Sequence, residues 1–114
     1  MTKLRWKNFL LPALYYSAIL SISLLPRTKV EAVNEVIPLP NDKVLHLAVY
    51  AGLGFVLGGL PYPSIALGTA GSLLGALDEQ VQRFAPGRDV SLADWLADIL
   101  GISLGLAWRR RPRR

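Results

Sequence analysis

The chain has 114 residues and a net charge of +5; 52% of its residues are hydrophobic, only 18% are charged, and none is cysteine. This length suits one domain, residues 1–114, and the lack of cysteine excludes disulfides, thiolate catalysis and cysteine-based metal sites. The charged fraction is below the roughly 25% of a typical soluble domain. Because the apolar residues form long blocks rather than amphipathic stripes, the composition indicates a membrane protein.

Four apolar blocks have lengths that suit membrane-spanning helices. They lie at about residues 8–25, 42–60, 64–83 and 91–108. The first block has a basic start, but it is long and no small-residue cleavage site follows it, so we expect it to remain in the protein. The segment 26–41 is predicted to be a loop. The fold predicted from the sequence is an all-α membrane protein whose four transmembrane helices pack as a small bundle.

Basic residues are concentrated at the two ends of the chain. Three precede residue 8, and five arginines lie within residues 109–114. A basic tail can indicate nucleic-acid binding, but beside apolar blocks it is more typical of a cytoplasmic anchor. An even number of spans places both termini on the same side, so we predict a multi-pass protein of the inner (plasma) membrane with both termini cytoplasmic and no nucleic-acid partner.

Glycines recur at the four-residue spacing that lets two helices approach closely in lipid. We interpret this spacing as packing within the bundle rather than as a dimer interface. The pairs are Gly54 with Gly58, Gly71 with Gly75, and Gly101 with Gly105.

In this topology, polar residues of three helices fall at the outer end of the bundle. At the rise of an α-helix, Asp98 lies roughly 10 Å below Ser91, and His46 lies roughly 6 Å below Asp42. The sequence therefore predicts a polar pocket that opens outward. Its members are Asp42, Lys43, His46 and Tyr50 of the second span, Asp78, Glu79, Gln82 and Arg83 of the third, and Ser91, Asp94 and Asp98 of the fourth.

Some of these residues also have a purely structural interpretation. Asp42 is a candidate helix N-cap, and Ser91 with Asp94 resembles a capping box. Asp78 and Glu79 differ, because they precede a helix C-terminus, where the macrodipole disfavours acids. Two adjacent carboxylates at membrane depth require compensation by a nearby arginine or lysine, a metal or protonation.

The motifs "DKVLHLAVYAGLG" and "DEQVQRFAPGRDVSLADWLADILG" resemble those of VanZ-like proteins, in the same order along the chain. The resemblance extends from Asp42 to about Gly105. It implies a small multi-spanning membrane protein, and the founding member of the family is associated with low-level resistance to the glycopeptide teicoplanin. One position departs from the pattern, since this chain has Asp98 where the family usually has asparagine.

The resemblance and the polar pocket together predict a site for the headgroup of a lipid or an anionic lipid-linked envelope precursor. Candidate catalytic residues are His46, Asp78, Glu79 and Asp94, with His46 and one of Asp78 or Glu79 as an acid–base pair. Candidate ligand-binding residues are Asp42, Lys43, Tyr50, Gln82, Arg88, Ser91 and Asp98, among which Lys43 and Arg88 would hold a phosphate.

No ligand spacing in the sequence defines a metal site, so none is predicted, and the cofactor and oligomeric state stay open. Two alternatives also stay open at this point. The cluster fits a membrane binding or transport-assisting protein without chemistry. It also fits a salt-bridge network that only locks the helices together.

Overall fold

A computed structural model describes residues 6–37, 42–87 and 91–112, and these residues fold into five α-helices and contain no strand, which confirms the all-α prediction. A 3₁₀ helix at Trp6–Phe9 leads into the first α-helix. The α-helices are α1 (Leu10–Ser23), α2 (Arg27–Val36), α3 (Asp42–Leu57), α4 (Ser64–Gln82) and α5 (Leu92–Arg109).

The prediction of a loop over 26–41 is wrong, because α2 occupies Arg27–Val36. Pro26 adopts an extended conformation (ψ 154°) and so separates α2 from α1. An ion pair of 3.1 Å between Arg27 Nε and Glu31 Oε1, one helical turn apart, supports the new helix. The helix buries none of its side chains. The sequence predicts a loop here because prolines and turn formers lie near the ends of the segment and its charges balance.

The four predicted spans correspond to α1, α3, α4 and α5, although α3 ends at Leu57 rather than at residue 60. A turn follows α3, in which the backbone amides of Gly58, Gly59 and Leu60 donate hydrogen bonds to carbonyls of the last turns of α3. A test of length and hydropathy finds no single helix in the described residues that qualifies as a membrane span. The bent pair Trp6–Ser23 and Arg27–Val36 qualifies only jointly, with an angle of 101° between its halves.

Helices α3 and α5 pack with their backbones in direct contact. A Cβ atom added to Gly105 would collide with the carbonyl oxygen of Ala51, and one added to Gly54 would collide with the carbonyl oxygen of Ile102. Only glycine permits such a close approach of two helix backbones. The contact brings the N-terminal halves of α3 and α5, which carry His46 and Asp98, side by side.

Four helices, α1, α3, α4 and α5, alternate in direction, so the bundle has two distinct ends. At one end the ring of Phe9 lies 6.5 Å from that of Tyr62, and the guanidinium of Arg110 donates to the carbonyl of Leu60 at 2.9 Å. The start of α1, the α3–α4 turn and the end of α5 therefore share one end, which carries the C-terminal arginines. The buried carboxylates lie at the opposite end, as the predicted topology requires.

The side chain of Arg110 is expected to stabilise the fold as well as to carry charge. It donates to the carbonyls of Gly58 (3.2 Å) and Leu60 (2.9 Å) and to the hydroxyl of Ser64 (2.9 Å), and so satisfies acceptors left over where α3 ends. We expect Arg110→Ala to lower the free energy of unfolding by about 1–2 kcal/mol.

Circular dichroism during denaturant titration of the protein in detergent micelles measures this change. The control is Arg111→Ala, because Arg111 bonds only within its own turn, to the Trp108 carbonyl, among the described residues, and we expect it to cost less than about 0.5 kcal/mol. Equal stability of the two variants would show that the Arg110 contacts contribute nothing.

Candidate functional site

Asp78 joins three helices at the acidic end of the bundle. It is buried on α4 and accepts hydrogen bonds from the hydroxyl of Tyr50 on α3 at 2.6 Å and from the hydroxyl of Ser23 on α1. The amide nitrogen of Gln82, one turn further along α4, lies 3.5 Å from Asp78 Oδ2, the oxygen that also accepts from Tyr50. Neutral donors therefore satisfy this carboxylate within the bundle.

Glu79 faces a different set of residues, because successive residues on a helix point about 100° apart. Its Oε1 atom lies 3.7 Å from Nδ1 of His46 on α3. The same Nδ1 atom lies 2.7 Å from Oδ1 of Asp98 on α5. His46, Glu79 and Asp98 thus form a second cluster, which we call the triad.

The triad lacks the hydrogen bonds that its burial demands. Glu79 is 4% exposed and Asp98 is completely buried. Both oxygens of Glu79 and the Oδ2 atom of Asp98 are buried without a hydrogen-bond partner among the described residues. Buried polar atoms are normally paired, and an unpaired buried carboxylate is costly. The triad is therefore the part of the acidic end that the fold alone does not explain.

Local packing holds the triad in place. Gly75 lies one turn before Glu79, and an added Cβ there would lie 3.3 Å from both Cβ and Oδ2 of Asp98. The small residue thus makes room for the Asp98 side chain against α4. The indole of Trp95 donates to the Ser72 carbonyl at 2.9 Å, which ties α5 to α4 one turn from Asp98.

Lys43, Ser91 and Asp94 lie beside the triad. The hydroxyl of Ser91 accepts a hydrogen bond of 3.2 Å from the Asp94 amide and so caps α5. The carboxylate of Asp94, which is buried, lies 3.5 Å from the Lys43 ammonium. The Lys43 side chain is largely exposed, so its charge lies at the surface of the acidic end.

The remaining predicted residues are placed as follows. Arg83 follows α4, and its side chain is exposed rather than paired with Asp78 or Glu79. All of Arg88 and the side chain of Asp42 lie outside the described residues.

Ser23 is a member of the Asp78 cluster that sequence reasoning missed. It is a buried hydroxyl in the last residue of α1, and its partner is 55 positions away in the chain. Its position could have identified it, because in the predicted topology the end of the first span lies at the same depth as Asp78.

Two surface hollows lie away from the triad. One, of about 760 Å³, runs along α4 and α5 past Ser64, Ser72 and Arg110. The other, of about 370 Å³, lies beside Phe55 and Trp108 at the arginine-rich end. At the triad, by contrast, the three candidate ligand atoms lie within 4.8 Å of one another, so the space between them suits a single atom or ion.

Comparison of the chain with family models, curated proteins and solved structures finds no match. The resemblance to VanZ-like proteins therefore rests on the sequence motifs, and the function is argued from the site.

Proposed function

We propose that this chain is an integral membrane protein that resembles VanZ-like proteins and binds the headgroup of a lipid or a lipid-linked envelope precursor at the acidic end of the bundle, next to the triad. The observation that carries the proposal is the buried Glu79 carboxylate, which faces His46 and has no hydrogen-bond partner among the described residues. An ionisable residue held inside an apolar bundle at a cost to stability usually serves a ligand.

The distribution of polarity supports a membrane environment. Asp78, Glu79, Asp94 and Asp98 are at most 7% exposed. In contrast, five leucines of the same two helices are between 50% and 64% exposed; they are Leu73, Leu77, Leu96, Leu100 and Leu104. A surface of this kind fits hydrocarbon better than water. The carboxylates lower the average hydropathy of α4 and α5, yet they contribute little to the surfaces that would face lipid.

The lengths of the helices and the distribution of charge in the bundle also support a membrane environment. With 19 and 18 residues, α4 and α5 are roughly 27–29 Å long, close to the thickness of the hydrocarbon core. Arginines gather at one end of the bundle, as the positive-inside rule expects of a cytoplasmic face. The triad would then lie near the outer leaflet, and the headgroup would enter from that side.

The triad also has the groups that recognition of a headgroup requires. Glu79 is an acceptor for hydroxyl or amine hydrogens, and the exposed Lys43 ammonium is a partner for phosphate. His46 can exchange a proton with a bound group, with Asp98 at 2.7 Å to orient the ring. By its resemblance to VanZ-like proteins, we connect this site with protection against glycopeptides of the teicoplanin type.

Retention of an anionic lipid by the purified protein tests the proposal. Reconstituted in bilayers of zwitterionic lipid doped with phosphatidylglycerol or a polyprenyl phosphate, the protein should release these lipids in native mass spectrometry. We expect Glu79→Gln or His46→Gln to reduce retention about tenfold, the equivalent of about 1.4 kcal/mol, without loss of helical content.

Glu31→Gln is the matched control, since Glu31 is exposed on α2 and pairs with Arg27. Retention that is unchanged in both triad variants contradicts the proposed site. Extraction of the wild-type protein from membranes by alkaline carbonate contradicts membrane integration itself. Loss of helical content in both triad variants favours a purely structural cluster.

A further inference from the structure

We propose that the triad of His46, Glu79 and Asp98 binds one divalent transition-metal cation of the Zn²⁺ or Mn²⁺ class. This inference rests on the proposed function for the purpose of the site and on geometry alone for its existence. Each residue offers one ligand atom, and these atoms lie within 4.8 Å of one another. One imidazole nitrogen with two carboxylate oxygens is a donor set that suits these cations.

The distances require only small adjustments. Ligands of one ion are about 3.0–4.2 Å apart, given metal–ligand distances near 2.1 Å. The atoms His46 Nδ1 and Asp98 Oδ1 are 2.7 Å apart, and one ligand atom from each of the three residues lies within 4.8 Å of the other two. These separations therefore differ from those around one ion by less than about 1 Å, which is a displacement that side-chain rotation can supply.

Charge and hydrogen bonding both favour a cation here. A metal ligand set must be deprotonated, and in that form two carboxylates with a neutral imidazole would carry a charge of about −2, which a divalent cation neutralises. Both oxygens of Glu79 and the Oδ2 atom of Asp98 have no hydrogen-bond donor among the described residues, and a cation would take one oxygen of each carboxylate as a ligand without needing a donor. Asp78 directly precedes Glu79 in the sequence but needs no cation, because the hydroxyls of Ser23 and Tyr50 donate hydrogen bonds to its carboxylate.

The nearby lysine is paired with a residue outside the triad. The Lys43 ammonium lies 3.5 Å from Asp94, and the lysine side chain is 57% exposed. Asp98 is also the position at which this chain departs from the VanZ-like pattern, and its carboxylate supplies the second negative charge of the triad.

A cation also resolves a difficulty in binding an anionic headgroup. A phosphate and a carboxylate cluster repel one another. A metal held by three protein ligands keeps open positions, and a phosphate oxygen can occupy one of them. The lipid would then bind to the cation, with Lys43 as a second contact on the outside.

Metal binding is measured on the full-length protein in detergent, without lipid and without a histidine tag. The chain contains a single histidine and no cysteine, so a nitrogen-ligated site can involve only His46. After treatment with a chelator and dialysis, titration with Zn²⁺ and with Mn²⁺ should give one bound ion per chain. We expect His46→Gln and Glu79→Gln each to weaken binding at least about 100-fold, since even second-shell changes cost 10–100-fold.

Glu31→Gln removes an exposed carboxylate by the same substitution and should bind metal like the wild type. Substitution of Co²⁺ gives a second readout, because its visible spectrum should change in His46→Gln if the imidazole is a ligand. Absence of binding up to millimolar metal overturns the inference, as does equal affinity in the wild type and His46→Gln. Because no lipid is present, failure here leaves headgroup binding standing, and failure of lipid retention leaves the metal site standing.

Discussion

Replacing Gly105 by alanine is expected to lower the free energy of unfolding by at least about 3 kcal/mol. The new methyl group would meet backbone atoms of α3: it collides with the Ala51 carbonyl oxygen and lies 2.7 Å from the Phe55 nitrogen. Backbone atoms cannot rotate away as a flexible side chain can, so α3 and α5 must separate along their contact. Because His46 and Asp98 lie on these two helices, we expect the variant to lose metal and lipid binding as well.

Gly68→Ala provides a matched control on α4. There the same methyl group meets only Leu106 Cδ1 at 3.6 Å, an ordinary contact. Since alanine favours a helix over glycine by up to about 1 kcal/mol, this variant should be as stable as the wild type or more stable. Titration of both variants with a denaturing detergent, followed by circular dichroism, gives the comparison. Equal stability of the two variants would show that α3 and α5 do not approach as closely as the structure indicates.

The close contact of α3 and α5 illustrates what the sequence could predict. The four-residue spacing of Gly101 and Gly105 depends only on helix geometry, so it indicates close packing before any partner is known. The directions of the helices also follow from the positions of the basic ends. In contrast, α2 was not predicted, although valines recur near one face at Val30, Val33 and Val36. The prolines near the ends of segment 26–41 and its balanced charge favour a loop, and the ion pair that supports the helix is a local side-chain contact.

The sequence could not predict that the adjacent acids Asp78 and Glu79 have different partners. Asp78 and Glu79 have the same depth and the same chemistry in the predicted topology. Their partners are decided by the rotation of α4 about its axis and by the depth of Ser23, and both depend on how the whole bundle packs. The same limit applies to Arg110: charge patterning indicates a basic end, but its bonds to the α3–α4 turn depend on side-chain geometry.

Asp78→Ala should destabilise the protein strongly, whereas Glu79→Ala should not. Loss of the Asp78 carboxylate leaves the buried hydroxyls of Tyr50 and Ser23 and the amide of Gln82 without their acceptor. We expect the free energy of unfolding to fall by about 3–5 kcal/mol, because a buried polar network loses its central member. Glu79 lacks hydrogen-bond partners among the described residues, so its removal should leave stability in metal-free buffer unchanged or raised.

The Tyr50→Phe variant separates the Asp78 network from a simple effect of lost volume. Alone, it removes one hydrogen bond and should cost about 1–2 kcal/mol. Combined with Asp78→Ala, it removes a donor that would otherwise be unpaired, so the double variant should be more stable than the sum of the single changes predicts. Additive effects would mean that Tyr50 and Asp78 do not act as one unit.

A loss of stability in Glu79→Ala equal to that in Asp78→Ala would place both acids in one structural cluster and remove the reason to assign the triad to a ligand.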